Sequence, residues 1–80
     1  MNEEEIDKEL EIIMKDVFQI KKINLEANML EIPEWDSLKH IQLIMTIEEK
    51  FNITIDFTDS IEMTSIPIIK NKILKYLNDK

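Results

Sequence analysis

The chain has no cysteine, no glycine and no arginine in 80 residues, and it has one histidine, one tryptophan and two prolines. Without cysteine there is no disulfide, no thiol nucleophile and no thiolate zinc site, so packing has to hold so small a domain together. Without glycine, the phosphate-cradling loops of dinucleotide-binding and P-loop folds are excluded. The cations are all lysine, ten against 17 acids, and the net charge of −7 argues against nucleic acid as a partner. No apolar run is longer than four residues, which predicts no membrane span, and the acidic opening Met1-Asn2-Glu3-Glu4-Glu5 does not read as a signal peptide. Cytoplasm is the expected compartment. What remains, 44% hydrophobic and 34% charged, is enough for one core, and we read residues 1–80 as a single domain.

From about Glu4 to Ile20, the residues Ile6, Leu10, Ile13, Met14, Val17 and Phe18 share one side of a helical wheel, with Ile12 outside the stripe. The glutamates at its start suit the positive end of the helix dipole, and Glu4–Lys8 and Glu11–Lys15 are spaced for ion pairs. Seven acids and two lysines from Glu3 to Asp16 carry most of the net charge, which reads as a solvated face. Residues 21–35 show no sustained period, and Pro33 disfavours helix at Ile32. A loop this long is expected to pack its own apolar residues, Ile23, Leu25, Leu30 and Ile32, across the core.

Asp36 is placed to cap a second helix bearing Leu38, Ile41, Leu43, Ile44, Met45, Ile47 and Phe51, more than half of its circumference. So apolar a helix either sits centrally or buries one side and offers the other to a partner. Phe51, Ile53, Ile55 and Phe57 then alternate with polar residues; with no comparable strand to pair, this predicts an extended connector whose apolar side seals the core. Thr58 or Asp59 is expected to cap one short turn running to about Met63. Ser65 should cap a last helix, with Pro67 in its first turn and Ile66, Ile69, Ile73, Leu74 and Leu77 as its stripe. Lys70, Lys72, Lys75 and Lys80 favour its C-terminal end. The expected fold is all-α, a small bundle of three main helices and one short helix after a long first loop.

The catalytic inventory is poor. His40 follows Ser37 by three residues on one helix, but no third group orients the imidazole as a base, and it reads as a polar residue at the edge of an apolar face. Asp56, Asp59 and Glu62 lack the glycine and the ligand spacing of a calcium loop, so no metal site is assigned. Ser37 is better placed to be modified than to act. At the start of a helix its hydroxyl projects where amides are unpaired, a favourable seat for a phosphodiester.

The stretch Asp36-Ser37-Leu38 with Ile41, Leu43, Ile44, Ile47-Glu48-Glu49-Lys50-Phe51 and Ile53-Thr54-Ile55 resembles the second helix and connector of acyl carrier proteins. The likeness continues through Met63-Thr64-Ser65-Ile66, Ile73 and Tyr76-Leu77, and covers about residues 4–78. It implies a four-helix carrier that is no enzyme, monomeric, with no catalytic residues of its own. It also implies that a magnesium-dependent phosphopantetheinyl transferase esterifies Ser37 with 4′-phosphopantetheine from coenzyme A, with Asp36 and Leu38 completing the motif. The cofactor's thiol then carries acyl groups as thioesters, which supplies the sulfur this chain lacks. Leu38, Ile41, Leu43, Ile44, Ile47, Phe51, Ile55, Ile61, Ile66 and Ile69 would form the core and any cleft for the acyl chain.

Departures from the bulk fatty-acid type set the expected partners. Ile32-Pro33-Glu34-Trp35 stands where a glycine is usual, and Lys39, His40 and Gln42 replace acids near the start of the second helix. The last helix is about one turn longer. These features resemble stand-alone carriers of specialised pathways, polyketide-type, amino-acyl or cell-surface saccharide, whose motif often reads Trp-Asp-Ser-Leu. The expected docking face for a loading ligase or transferase and for downstream acyltransferases comprises Trp35, Lys39, His40, Ile41, Gln42, Met45, Glu48 and Glu49, with Trp35 also able to serve as a loop anchor. The alternatives are an aminoacyl carrier, for D-alanine or another amino acid, and an unmodified helical interaction module in which Ser37 only caps its helix.

Overall fold

The computed structural model describes residues 1–79; Lys80, the last of the lysines assigned to the final helix, lies outside them. Helix α1 (Glu3–Phe18) is followed by a long loop with one 3-10 turn (Met29–Glu31), then by α2 (Ser37–Phe51), α3 (Phe57–Glu62) and α4 (Ile66–Asn78). The expected order of three long helices and one short one is present.

Asn2 starts α1 through a reciprocal cap: its side chain accepts from the Glu5 amide at 2.9 Å, and Glu5 accepts from the Asn2 amide at 3.2 Å. The helix stops at Phe18, short of the expected Ile20, because Gln19 turns left-handed at φ 55°. Asn52 does the same after α2 at φ 54°. With no glycine available, both reversals use side-chain-bearing residues, at a cost of about 1–2 kcal/mol each for ordinary residues and less for asparagine.

Ile6, Leu10, Ile13, Met14 and Phe18 of α1 meet Leu43, Ile47 and Phe51 of α2 and Ile66, Ile69 and Ile73 of α4 in one buried cluster. Each side chain of this kind contributes about 1.5–3 kcal/mol when fully buried. Ile12 is exposed, as its position off the stripe predicts. Lys70 ties α4 back to α1 through Asp7 at 3.1 Å and Glu3 at 3.4 Å, and the hydrogen bond to Asp7 raises the lysine pKa.

The long loop is anchored to the start of α4. The Met29 amide donates to the Thr64 carbonyl at 2.8 Å and the Ile66 amide to the Ala27 carbonyl at 3.0 Å. Ile32 and Ala27 are buried and Ile23 and Leu25 half-buried, but Leu30, expected in the core, is 95% exposed. The cause is the 3-10 turn capped by Asn28: with three residues per turn, Met29 and Ile32 face inward together and Leu30 cannot.

The connector seals the core with Ile53 and Ile55, whereas Phe57, expected on the same side, is 79% exposed. At Phe57 the chain enters α3, so the two-residue alternation ends there. The N-cap is Asp56 rather than Thr58 or Asp59, and its side chain makes no capping hydrogen bond. Asp59 instead binds α4. Tyr76 donates its hydroxyl proton to Asp59 and accepts from the Asp56 amide at 3.0 Å, while Lys72 reaches Asp59 at 2.9 Å and Glu62 at 3.2 Å. Ser65 caps α4 as expected, accepting from the Ile68 amide at 3.3 Å.

Candidate functional site

Asp36 has extended backbone, and its carboxylate accepts from the Lys39 amide at 2.8 Å while its carbonyl accepts from the His40 amide at 2.8 Å. This is the expected N-cap. It makes Ser37 the first residue of α2, with its side chain exposed to solvent. The first amides of any helix have no partner within it, so Ser37 sits at a positive end that favours an attached phosphate.

His40 and Ile41 follow Ser37 at helical spacings three and four, which brings all three to one face. Below them opens a cleft of about 350 Å³ between α2 and α3. Its walls include Ile41, Ile44 and Met45 from α2, Ile55 from the connector, and Phe57 and Ile61 from α3. Leu38, Ile41 and Ile61, expected in the core or a cleft, are 63%, 58% and 58% exposed: Ile41 and Ile61 line the cleft, and Leu38 stands on the surface outside it. Leu43, Ile47 and Phe51 take the core side of α2, so the helix buries one face and offers the other.

The other candidate residues separate by role. Trp35 is 3% exposed, with its ring centroid 5.4 Å from that of Phe18. Its large apolar ring is consumed by the core, which removes it from the docking face and makes it the loop anchor. The indole Nε1–H donates to His40 Nδ1 at 3.0 Å, and His40 Nε2 meets the Ser60 carbonyl at 2.8 Å. An indole can only donate and a carbonyl can only accept, so these two contacts make Nδ1 the acceptor and Nε2 the donor of the ring. That leaves neither ring nitrogen available as a base for Ser37. Glu48 accepts the Ile55 amide at 2.8 Å and is thereby committed to the connector. Lys39, Gln42, Met45 and Glu49 border an open groove toward Asp16 and Val17 of α1 and its C-cap, Gln19. Gln42, Met45 and Glu49 are exposed, and Lys39 is half-buried.

Asp59 and Glu62, weighed above as cation ligands, both engage Lys72, and no cluster of acids or histidine able to hold a metal occurs among the described residues. The hydrogen bond from Tyr76, followed by that from Lys72, holds the Asp59 carboxyl below its ordinary value. Desolvation first, and then the bond to Asp59, raises Tyr76. Sequence reasoning missed the Ser60 carbonyl and the Glu48–Ile55 bond. A backbone acceptor carries no residue signature, and a glutamate in the last turn of a helix looks like any surface acid.

The fold is that of the carriers. The solution NMR structure of a holo acyl carrier protein from Geobacter metallireducens matches with a TM-score of 0.81 at 24% identity, over 90% of this chain and 85% of that one. Two curated proteins extend the likeness to sequence. The acyl carrier protein of Buchnera aphidicola subsp. Schizaphis graminum (strain Sg) is 32% identical over 77 residues, 94% of this chain and 92% of its own length. That of Buchnera aphidicola subsp. Baizongia pistaciae (strain Bp) is 39% identical over 57 residues, 71% of this chain and 73% of its own. No family profile matches the chain. The chain belongs to the acyl carrier protein family, a family of carriers rather than enzymes. No described helix is long and apolar enough to cross a membrane.

Proposed function

We propose that Ser37 is the attachment point of 4′-phosphopantetheine and that the chain carries acyl thioesters in a specialised biosynthetic pathway as a single monomeric domain. The observation that carries this reading is the exposed Ser37 hydroxyl at the capped start of α2, one turn above an apolar cleft. The residues present fit such a group. Asp36 caps the helix start through the Lys39 amide, the positive end of the helix favours the phosphodiester, and Ile41, Ile44 and Ile61 offer apolar surface to a chain folded back from the arm. When attached, the group supplies the thiol that the chain lacks. On the transferase, the Ser37 oxygen forms the new phosphodiester as 3′,5′-adenosine diphosphate leaves coenzyme A, and the hydroxyl proton passes to the transferase.

The choice of a specialised pathway rests on charge. Lys39 and the neutral Gln42 occupy the first turns of α2, and Glu48 faces the connector, which leaves Glu49 as the exposed acid of the helix. Leu38, Ile41 and Met45 supply the apolar contact for loading ligases and acyltransferases.

Intact mass before and after incubation with coenzyme A and a broad-specificity phosphopantetheinyl transferase tests the assignment. One added phosphopantetheine on the wild type and none on a folded Ser37→Ala variant is the expected result. A wild-type chain left unmodified while a control carrier is loaded overturns it in favour of the interaction module.

A further inference from the structure

The short helix α3 has little of its own to hold it. It spans six residues, it has no side-chain N-cap, and none of its residues is fully buried. A helix of this length is not stable alone in water, so its position is set by what grips it. One grip comes from α4, through Asp59 to Tyr76 and Lys72. The other comes from α2, where among the described residues one side chain hydrogen-bonds to α3: His40 Nε2 on the Ser60 carbonyl. That carbonyl also accepts the Met63 amide at 3.3 Å, so the histidine joins the helix at its closing turn.

His40 is itself positioned from behind. Trp35 donates to Nδ1 at 3.0 Å, the two rings lie 20° apart with centroids 6.0 Å apart, and Trp35 packs on Phe18 in the core. A chain of contacts therefore runs from the core of α1 through the indole and imidazole to the backbone of α3. It passes along one wall of the cleft, since His40 and Ser60 both line it.

We propose that His40 is the positioning residue of this cleft: by bridging the Trp35 indole to the Ser60 carbonyl it fixes where α3 stands over α2, and so how much of an acyl chain the cleft shelters. The sheltering rests on the carrier function proposed above; the placement of α3 does not. A ring without nitrogens fills the space but makes neither bond, whereas a glutamine amide keeps a donor for the carbonyl.

Heteronuclear NMR on the full chain without the arm tests the placement. In His40→Phe the sole indole N–H resonance should shift, and solvent exchange of the α3 amides should quicken about five- to tenfold, the factor for one lost hydrogen bond, with α1 and α4 amides unchanged. His40→Gln should restore most of the α3 protection. Ser60→Ala should leave the bridge intact, because only the Ser60 backbone takes part in it. In the second arm, hexanoyl and decanoyl forms of the loaded protein are treated with hydroxylamine, and His40→Phe should lose severalfold of the wild-type protection. Unchanged α3 exchange in His40→Phe, or exchange that quickens equally in every helix, overturns the proposal. So does loaded His40→Phe protecting its thioesters as the wild type does. Failure of Ser37 to accept the arm overturns the carrier reading instead and leaves the NMR arm to decide the placement of α3.

Discussion

Glu48 Oε2 accepts the backbone amide of Ile55 at 2.8 Å, so an acid near the end of α2 secures the connector that follows it. The carbonyl of Glu48 accepts the Ile53 amide at 3.1 Å as well, and one residue thus turns the chain out of α2 and lays Ile53 and Ile55 on the core. Glu48→Ala should cost about 1.5–3 kcal/mol in urea unfolding, the range for a hydrogen bond to a charged group. Glu49→Ala, on the exposed side, should change stability by less than about 0.5 kcal/mol. Equal stabilities for the two variants would contradict the assignment of Glu48 to the connector.

Asp36 separates capping from modification. Asp36→Ala should lower stability by about 1 kcal/mol, and Asp36→Asn should largely preserve it because asparagine caps equally well. If the carboxylate also helps to hold the transferase's magnesium, Asp36→Asn will slow loading of Ser37 while its thermal unfolding stays near wild type. Loading of Asp36→Asn at the wild-type rate would confine Asp36 to the cap.

The first turns of α2 should decide which enzymes accept the carrier. Complementary charge guides encounter and orientation, and at physiological salt it is screened over about 8 Å, so the acidic α1 orients Ser37 poorly. The wild type should be a poor substrate for fatty-acid synthesis enzymes. Lys39→Glu with Gln42→Glu should improve their kcat/KM and weaken the chain's own loading enzyme. Wild-type activity equal to that of a fatty-acid carrier, with no gain in the double variant, would show that charge near Ser37 does not select partners.

The contact of Asp59 with Tyr76 and Lys72 should fail at both extremes of pH. Asp59 is held below its ordinary value of 3.8, so its contribution is complete above that pH and is lost as pH falls through the lower folded value. Lys72 is raised above 10.5, chiefly by Asp59, so its contribution is present below 10.5 and is lost as pH rises through the folded value. Tyr76 is raised above 10.0; its contribution likewise goes as pH climbs from 10.0 through the folded value. The phenolate absorbance of this single tyrosine should titrate above 10.0 in the wild type and fall toward the ordinary value in Asp59→Asn. An unchanged titration in Asp59→Asn would rule out the bond as a cause of the shift.

The sequence by itself determined the helices, the capped start of α2 and the exposed serine there, because these follow from local rules. Apolar residues at helical spacing, a capping side chain before the first turn and a proline near a helix start act over a few residues. The inward stripes of α1 and α4 were legible for that reason, and the motif around Ser37 carried the family. Only the tertiary structure decided which apolar residues of α2 are core and which are rim, since more than half of its circumference is apolar and periodicity alone cannot say where α1 and α3 lie. It sent Leu30 and Phe57 outward through turns that changed the local period, and it buried Trp35 against Phe18. The roles of His40 and Glu48 likewise depended on acceptors and donors far along the chain, the Ser60 carbonyl and the Ile55 amide. Backbone groups are the same at every residue, so folding alone could choose them.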